Sequence, residues 1–133
     1  MNKEFVMRGQ TASGGTEVLN FSGNKPGYAY RLTEFQLWGS NNIGTSSMEA
    51  LGTITAGKTA VAPTEPNFND EGLIATNYWS DSNSNQYGPV IASVINDTFL
   101  ITQDLILMVQ DNDTSSPINW QCRFVSEKMS DAE

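Results

Sequence analysis

Residues 28–38 read Tyr-Ala-Tyr-Arg-Leu-Thr-Glu-Phe-Gln-Leu-Trp, and this stretch decides the fold class. Large apolar residues recur at every second position, which predicts a β-strand with one buried face. The apolar residues occupy even positions up to Leu32 and odd positions from Phe35 onward. A regular strand would place these two sets on opposite faces. We predict a β-bulge near residues 33–34 that turns both sets toward one core; the alternative is a strand with both faces partly covered.

Apolar stretches of similar length occur on both sides of this strand, and clusters of Gly, Pro, Asn and Ser separate them. Short apolar stretches separated by turn-forming residues are typical of all-β proteins. Further strands are predicted at residues 4–8, 18–21, 52–56, 73–79, 89–95, 98–101, 105–109 and 118–124. The segments 98–101 and 105–109 can form one long bent strand, and residues 48–51 are predicted to form a brief helical turn.

Polar segments connect the predicted strands. Turns are predicted at residues 11–15 and 22–27, a hairpin-like turn at 111–117, and loops at 40–47, 57–72 and 80–88. The loop at 57–72 is long, and loops of this length are usually functional or tied to a partner. About eight strands joined in this way predict an antiparallel β-sandwich, with a jelly roll as the first choice of topology. We expect one domain over residues 1–125 and a short acidic C-terminal tail over 126–133.

The composition limits the function classes. The 133 residues include seven Lys and Arg against fifteen Asp and Glu, which gives a net charge of −8. The basic residues are scattered along the chain, so direct binding to nucleic acid or to an anionic membrane is not expected. The N-terminal residues contain no apolar h-region, so a secretory signal is not expected. The longest apolar run, residues 105–109, is too short to span a bilayer.

The residue types do not indicate catalytic chemistry. The sequence has no histidine, which removes the commonest general base and the usual catalytic triads. Cys122 is the only cysteine, so an intramolecular disulfide is excluded and a reducing compartment is expected. Cys122 shares the parity of Trp120 and Phe124, which predicts an inert thiol in the core. We predict no enzyme activity, cofactor or metal site; a small hydrolase acting through paired carboxylates is a further alternative.

Two segments imitate known motifs. The P-loop pattern G-x-x-x-x-G-K-[ST] is matched by GTITAGKT at residues 52–59. A helix follows a true P-loop at once, whereas Pro63 and Pro66 follow this segment, so a strand and a turn are predicted instead. Residues 81–85 begin like a calcium loop, but Ala92 stands where the bidentate Glu would be. We interpret residues 81–85 as a solvated loop, and the oxygen-rich Asp111-Asn112-Asp113 in the same way.

Aromatic residues beside polar loops indicate a candidate contact surface. Trp38 and Trp79 each end a predicted strand next to such a loop. An aromatic ring placed there can stack on a sugar or a protein, or it can pack over the open end of the sandwich. Both interpretations stay open. Contacts to a glycan or a partner protein are predicted for Tyr78, Trp79, Tyr87, Asn67 and Phe68.

Several blocks of the sequence resemble a group of small virion structural proteins from marine tailed bacteriophages. The blocks run through most of the chain and read RGQTASGGTEVLNFSG at residues 8–23, PGY at 26–28, NFNDEGLIA at 67–75, VINDTFLITQDL at 94–105 and NWQCRF at 119–124. The resemblance implies a capsid or tail component that is made in the host bacterial cytoplasm and incorporated into the virion. It implies no catalytic residues.

The resemblance and the residue types together predict a structural role. The expected function is a capsid decoration or cement subunit that bridges major capsid subunits and so stabilises the shell. We expect a homo-oligomer, with a trimer as the specific prediction. The N-terminal strand and the loop at 57–72 are the expected contact surfaces. The alternative function is a receptor- or glycan-binding module on a phage tail or capsid surface.

Overall fold

Eight β-strands form the regular structure of the chain in a computed structural model, which describes residues 3–21, 27–40, 47–57, 59–81, 90–113 and 115–129. The strands are β1 (Lys3–Thr11), β2 (Thr16–Leu19), β3 (Tyr28–Gly39), β4 (Met48–Ala56), β5 (Leu73–Asp81), β6 (Val90–Ile95), β7 (Leu105–Asp111) and β8 (Ile118–Lys128). Within these ranges no helix is long and apolar enough to cross a membrane. The predicted all-β class is confirmed.

The strands form two antiparallel sheets that pack face to face. The three-stranded sheet has the order β1-β8-β3, and the five-stranded sheet has the order β2-β7-β4-β5-β6. The first strand therefore pairs with the last, β2 pairs with β7, and β4 pairs with β5. Such nested pairs occur in jelly rolls, but β6 pairs with β5 rather than with β3, so the jelly-roll topology stays a prediction. The predicted antiparallel β-sandwich with about eight strands is confirmed.

The segment between β6 and β7 crosses back to the three-stranded sheet. The backbone of Ile101 forms an isolated antiparallel bridge with Tyr30 of β3, through two N–H···O bonds of 2.8 and 2.9 Å. The strand predicted at residues 98–101 is therefore reduced to one bridge. It is not continuous with β7, because β7 lies in the other sheet. The prediction of one long bent strand is wrong.

The bulge predicted in the long strand β3 is confirmed. Leu32 lies opposite Phe124 and Glu34 lies opposite Arg123, so Thr33 is the extra residue between them. This insertion shifts the inward parity by one, and Leu32 and Phe35 are both buried, at 0% and 1% exposure. The side chains of both parity sets thus enter one core. Thr33 itself is exposed, and its hydroxyl donates to the Arg123 carbonyl at 3.2 Å.

Strand β8 forms the centre of the three-stranded sheet. It is hydrogen-bonded to β1 on one side and to β3 on the other. The predicted alternation is confirmed, since Ile118, Trp120, Cys122 and Phe124 are all buried. Phe124 joins a cluster of rings with centroid separations of 5.0 to 6.3 Å, which also contains Phe5, Phe21 and Tyr30. Aromatic pairs at these separations each contribute about 0.5–1.5 kcal/mol beyond their buried area.

Two predictions of local structure, at residues 48–51 and 111–117, are wrong. In both cases the arrangement of the strands in the two sheets determines the conformation. Residues 48–51 belong to β4, where Met48 and Ala50 face the core. Four residues fit one helical turn and a short strand equally well, and the ladders with β5 and β7 select the strand. Residues 111–117 do not form a hairpin, because they connect β7 in one sheet to β8 in the other.

The C-terminal boundary also differs from the prediction. Ser126 to Lys128 continue β8 and pair with Lys3 of β1 and with residues 28–30 of β3. The strand therefore extends three residues into the segment predicted as a loose tail. The loop predicted at 57–72 contains no strand in its described residues, as expected. The turn predicted at 22–27 and the loops at 40–47 and 80–88 lie mostly outside the described residues.

Candidate functional site

The four edge strands of the sandwich differ in charge. On one side, β1 and β2 are the edge strands of their sheets, and they carry charged residues such as Arg8 and Glu17. On the other side, β3 and β6 are the edge strands; β3 carries Arg31 and Glu34, whereas β6 reads Val-Ile-Ala-Ser-Val-Ile with no charged residue. Charged side chains on an edge strand oppose pairing with another chain, whereas an apolar edge invites it. Of the four edge strands, β6 is therefore the best candidate interface.

Strand β6 is exposed on both of its faces. Val90, Ile91 and Val94 are 55%, 56% and 52% exposed. In the described part of the chain β6 pairs with β5 alone, so its outer backbone groups have no strand partner there. A strand of this composition, without Pro or charge, is suited to add a further strand or to bury its side chains against a partner. We call Val90–Ile95 together with Phe68 the apolar edge.

Phe68 belongs to the apolar edge because its loop brings it beside β6. Its ring is 67% exposed, and it lines a shallow pocket of about 230 Å³ together with Val94 and Ile95. The side chains of Asn67 and Asp70 each accept an N–H from two residues further on, at 3.0 Å in both cases. These two Asx turns flank Phe68. The predicted contact residues Asn67 and Phe68 are thus both exposed, and Phe68 lies on the candidate interface.

Hydrogen bonds to β4 fix the loop that carries Phe68. The Thr53 hydroxyl donates to the Val61 carbonyl at 2.6 Å, and the Val61 N–H donates to the Thr55 hydroxyl at 3.2 Å. The Ala56 N–H donates to the Gly72 carbonyl at 2.7 Å. Thr53 and Thr55 are buried beneath this loop, at 0% and 3% exposure. The loop at 57–72 is therefore attached to the sheet near its start, at Val61, and at its end, at Gly72.

A groove lies between the two edge strands. It has a volume of about 230 Å³, and its lining includes Phe35 and Trp38 from β3 and Ile91 and Ile95 from β6. The Ser93 hydroxyl donates to the Phe35 carbonyl across this groove at 3.2 Å. The groove joins the apolar edge to Trp38, which is 50% exposed. Apolar surface thus continues from β6 to the edge of the three-stranded sheet.

The outer face of the three-stranded sheet carries a second feature, a hollow of about 550 Å³. Two rows of side chains cross the strands there in register, and they are Arg8–Gln121–Gln36 and Gln10–Asn119–Trp38. Asn119 is held by two hydrogen bonds. Its side-chain oxygen accepts from Gln10 at 3.0 Å, and its amide nitrogen donates to the Gly39 carbonyl at 3.1 Å. We call this hollow the amide hollow.

Trp79 does not lie at the surface, which corrects the prediction of a contact by its ring. It is 1% exposed and faces the core. Its ring packs against Trp38 with a centroid distance of 5.6 Å and an interplanar angle of 45°. Trp38, rather than Trp79, is therefore the accessible tryptophan of this pair.

The predicted aromatic group around Trp79 does not form one surface. Tyr78 lies on the opposite face of β5 from Trp79, beside Ala92 of β6. It is half-buried, and its hydroxyl donates to Glu49 at 3.3 Å. The third member, Tyr87, lies outside the described residues. The predicted contact residues are thus divided between the core, the outer face of the five-stranded sheet and the apolar edge.

Three of the remaining sequence features have structural roles, and residues 82–85 of the calcium-like segment lie outside the described residues. Residues 52–56 of the P-loop pattern are extended in β4, as predicted. Burial raises the pKa of the Cys122 thiol from 9.0 to about 12, so the thiol stays protonated and unreactive. The Asp111 carboxylate accepts the backbone N–H groups of Glu49, Asp113 and Ser116 at 2.9 to 3.1 Å. Among the described residues, no three His, Cys, Asp or Glu side chains cluster as metal ligands do.

Sequence reasoning missed the amide hollow. The outward parity of Asn119 and Gln121 was visible in β8, and the parity after the bulge also directs Trp38 outward. The neighbours on β1 and β3 become known only from the sheet order, which the sequence pattern does not contain.

Comparisons with known proteins add no relative. A scan against family models, a search of curated proteins and a search of solved structures each returned no match to this chain.

Proposed function

We propose that this chain is a non-enzymatic virion structural protein, a capsid decoration or cement subunit that binds across neighbouring major capsid subunits. The apolar edge is the observation that carries the proposal, because it is a ready contact surface for another protein. The sequence blocks that resemble phage virion proteins supply the particle context. A subunit that binds only the assembled shell stabilises that state through its binding free energy.

The apolar edge has the properties of a protein interface. It combines exposed aliphatic side chains on β6 with the exposed ring of Phe68. Interface centres are depleted of charge and enriched in aromatic side chains. The chain has a net charge of −8, yet β6 carries none of its charged residues. A partner thus covers β6 without burying an unpaired charge of this strand, which avoids a large desolvation cost.

The rigid sandwich supports this role. Phe68 and β6 are both fixed to the five-stranded sheet, the first by the hydrogen bonds of its loop and the second by its ladder with β5. Little conformational entropy is therefore lost when the apolar edge is covered. Binding by strand addition also satisfies the outer backbone groups of β6.

The experiment is co-sedimentation of the purified protein with phage capsids that lack it. We expect saturable binding at a fixed ratio to the major capsid protein. The test variant replaces Ile91 and Val94 with Lys, which places two unpaired charges in the proposed interface. Each Lys is expected to cost more than about 1.4 kcal/mol, so the double variant binds at least about a hundredfold more weakly.

The matched control is Val18→Lys on β2. Val18 is 64% exposed and lies on the opposite edge of the same sheet, so its variant is expected to bind capsids like the wild type. Failure of the wild-type protein to bind capsids contradicts the capsid role. Equal binding by the Ile91→Lys/Val94→Lys variant contradicts the assignment of the apolar edge.

The same proposal includes self-association into a trimer. Cement subunits act at symmetry axes of a shell, where a closed oligomer presents identical surfaces to identical partners. Sedimentation equilibrium of the purified protein is expected to give three times the chain mass of 14.5 kDa. A mass equal to one chain at all micromolar concentrations contradicts the trimer.

A further inference from the structure

We infer that the amide hollow is a binding site for a pyranose ring of an oligosaccharide. This inference goes beyond the proposed structural role, and it concerns the outer face of the three-stranded sheet rather than the apolar edge. Its basis is the combination of a half-exposed indole, three amide side chains and one guanidinium in a single concave surface.

The chemistry of the hollow matches that of a sugar ring. A pyranose has an apolar face of C–H groups and a rim of hydroxyls that both donate and accept hydrogen bonds. The indole of Trp38 offers a flat apolar surface for the first. The amides of Gln36, Asn119 and Gln121 each carry donors and an acceptor, so they suit hydroxyls better than they suit an ion of one sign.

The dimensions of the hollow also fit. Its volume of about 550 Å³ falls in the roughly 300–1,000 Å³ range of small-molecule sites. The two rows of side chains are separated by about 7 Å along each strand, and neighbouring strands lie about 5 Å apart. A ring that lies on Trp38 is therefore within reach of the amides of Gln36 and Asn119.

The key side chains are ordered before any ligand binds. Trp38 is supported by the buried ring of Trp79 at a centroid distance of 5.6 Å. Asn119 is fixed by its bonds to Gln10 and to the Gly39 carbonyl. Gln36 and Gln121 form no side-chain hydrogen bond within the described part of the chain, so their amides are available to a ligand. Such preorganisation lowers the entropy cost of binding.

The charges around the hollow disfavour a phosphorylated or polyanionic ligand. Arg123, in the next row, faces the carboxylates of Glu4 and Glu34 at 3.9 and 3.7 Å. Arg8 is the hollow's own cation, and among the described residues it forms no ion pair. One guanidinium in a chain of net charge −8 provides little attraction for several phosphates. It suits hydroxyls, or the single carboxylate of a uronic acid.

The test is a glycan array followed by titration with the disaccharides it selects. The array contains defined neutral and uronate-bearing oligosaccharides, and binding is followed by tryptophan fluorescence and saturation-transfer NMR. Trp38 is half-exposed while Trp79 and Trp120 are buried, so a bound sugar is expected to shift the emission to shorter wavelength. Trp38→Ala is expected to weaken binding at least tenfold, and Gln121→Ala about fivefold.

Control variants separate this site from the rest of the surface. Phe68→Ala removes a more exposed ring, at 67% against 50% for Trp38, that lies outside the hollow, and is expected to leave sugar affinity unchanged. Trp38→Phe retains a ring and is expected to lose less affinity than Trp38→Ala. Gln121→Ala keeps the test valid if Trp38→Ala fails to fold, and it is expected to bind capsids normally because it lies away from the apolar edge.

Two results would overturn the inference. One is an array on which the wild-type protein binds no saccharide. The other is a saccharide whose affinity is unchanged by both Trp38→Ala and Gln121→Ala. Either result leaves the capsid co-sedimentation experiment intact, since that experiment reports on Ile91 and Val94 instead.

Discussion

Substitution of Gly39 by Ala tests the packing that supports Trp38. Gly39 is buried in β3, and a Cβ atom there would lie 2.7 and 2.8 Å from Cη2 and Cζ3 of Trp79 and 3.1 Å from Sδ of Met48. Carbon atoms in contact prefer separations of about 3.5–4.0 Å. The new methyl group thus overlaps the indole by about 1 Å. Trp79 and Met48 are 1% and 2% exposed, so neither side chain can move into solvent.

The expected cost of Gly39→Ala is about 2 kcal/mol. Overpacking of a close-packed core costs roughly 1–3 kcal/mol, and the overlap with a fixed ring places this site in the upper part of that range. The loss of backbone freedom in the unfolded chain offsets about 0.5 kcal/mol. With a urea m-value of about 2 kcal/mol/M, the unfolding midpoint is expected to fall by about 1 M.

A double-mutant cycle isolates the clash with the indole. Trp79→Phe removes the two ring carbons that lie closest to the added methyl group. In that background Gly39→Ala is expected to cost less than about 0.5 kcal/mol, because the shorter ring leaves room. The measurement is urea unfolding followed by far-UV circular dichroism. An equal cost of Gly39→Ala in both backgrounds would refute the reasoning.

Three further predictions concern the fold. Asp111→Ala leaves three backbone N–H groups without their acceptor. It is expected to lower the free energy of unfolding, measured by urea unfolding, by about 3 kcal/mol. A loss below about 1 kcal/mol contradicts the role of the carboxylate. Burial raises the pKa of Cys122 from 9.0 to about 12, so the folded state binds the thiol proton more tightly than the unfolded state does. The free energy of unfolding is therefore expected to be unaffected by the titration of this group below pH 9. From pH 9 to 12 it is expected to fall by about 1.4 kcal/mol per pH unit relative to the Cys122→Ala variant. Identical pH dependence of the two proteins would exclude a buried thiol. Truncation after Val125 removes the last pairs of β8 and is expected to cost about 2–3 kcal/mol in thermal unfolding, whereas truncation after Met129 costs less than about 0.5 kcal/mol; equal costs would show that the tail begins at residue 126.

The sequence predicted the structural features that depend on the alternation of apolar residues within a single strand. The change of parity between Leu32 and Phe35 predicted the bulge because only an inserted residue brings both onto one face. The alternation in β8 predicted the burial of Cys122 for the same reason. These features depend on local geometry, and the structure confirms them.

Features that depend on neighbouring strands were not predictable from the pattern. Val90–Ile95 has the composition of a buried strand, yet it lies at an edge with both faces exposed. Strand propensity reports side-chain shape and says nothing about position in a sheet. The turn at 111–117 has the composition of a hairpin, but its composition does not determine that the two strands belong to different sheets.

The placement of the two tryptophans illustrates the same limit. Trp38 follows Leu37 directly in β3, so the parity after the bulge directs its side chain outward. Trp79 shares its parity with Asn77, which is buried and donates to the Phe35 carbonyl at 2.6 Å. A buried amide on the inner face interrupts the apolar alternation that would otherwise have predicted the burial of Trp79.

Capsid co-sedimentation tests the central claim most directly. Purified protein is mixed with phage capsids that lack it, and the bound amount is measured against the major capsid protein over a range of concentrations. The proposed function predicts saturation at a fixed ratio, with loss of binding in the Ile91→Lys/Val94→Lys variant and normal binding in Val18→Lys. Absence of saturable binding by the wild-type protein would contradict a decoration or cement role.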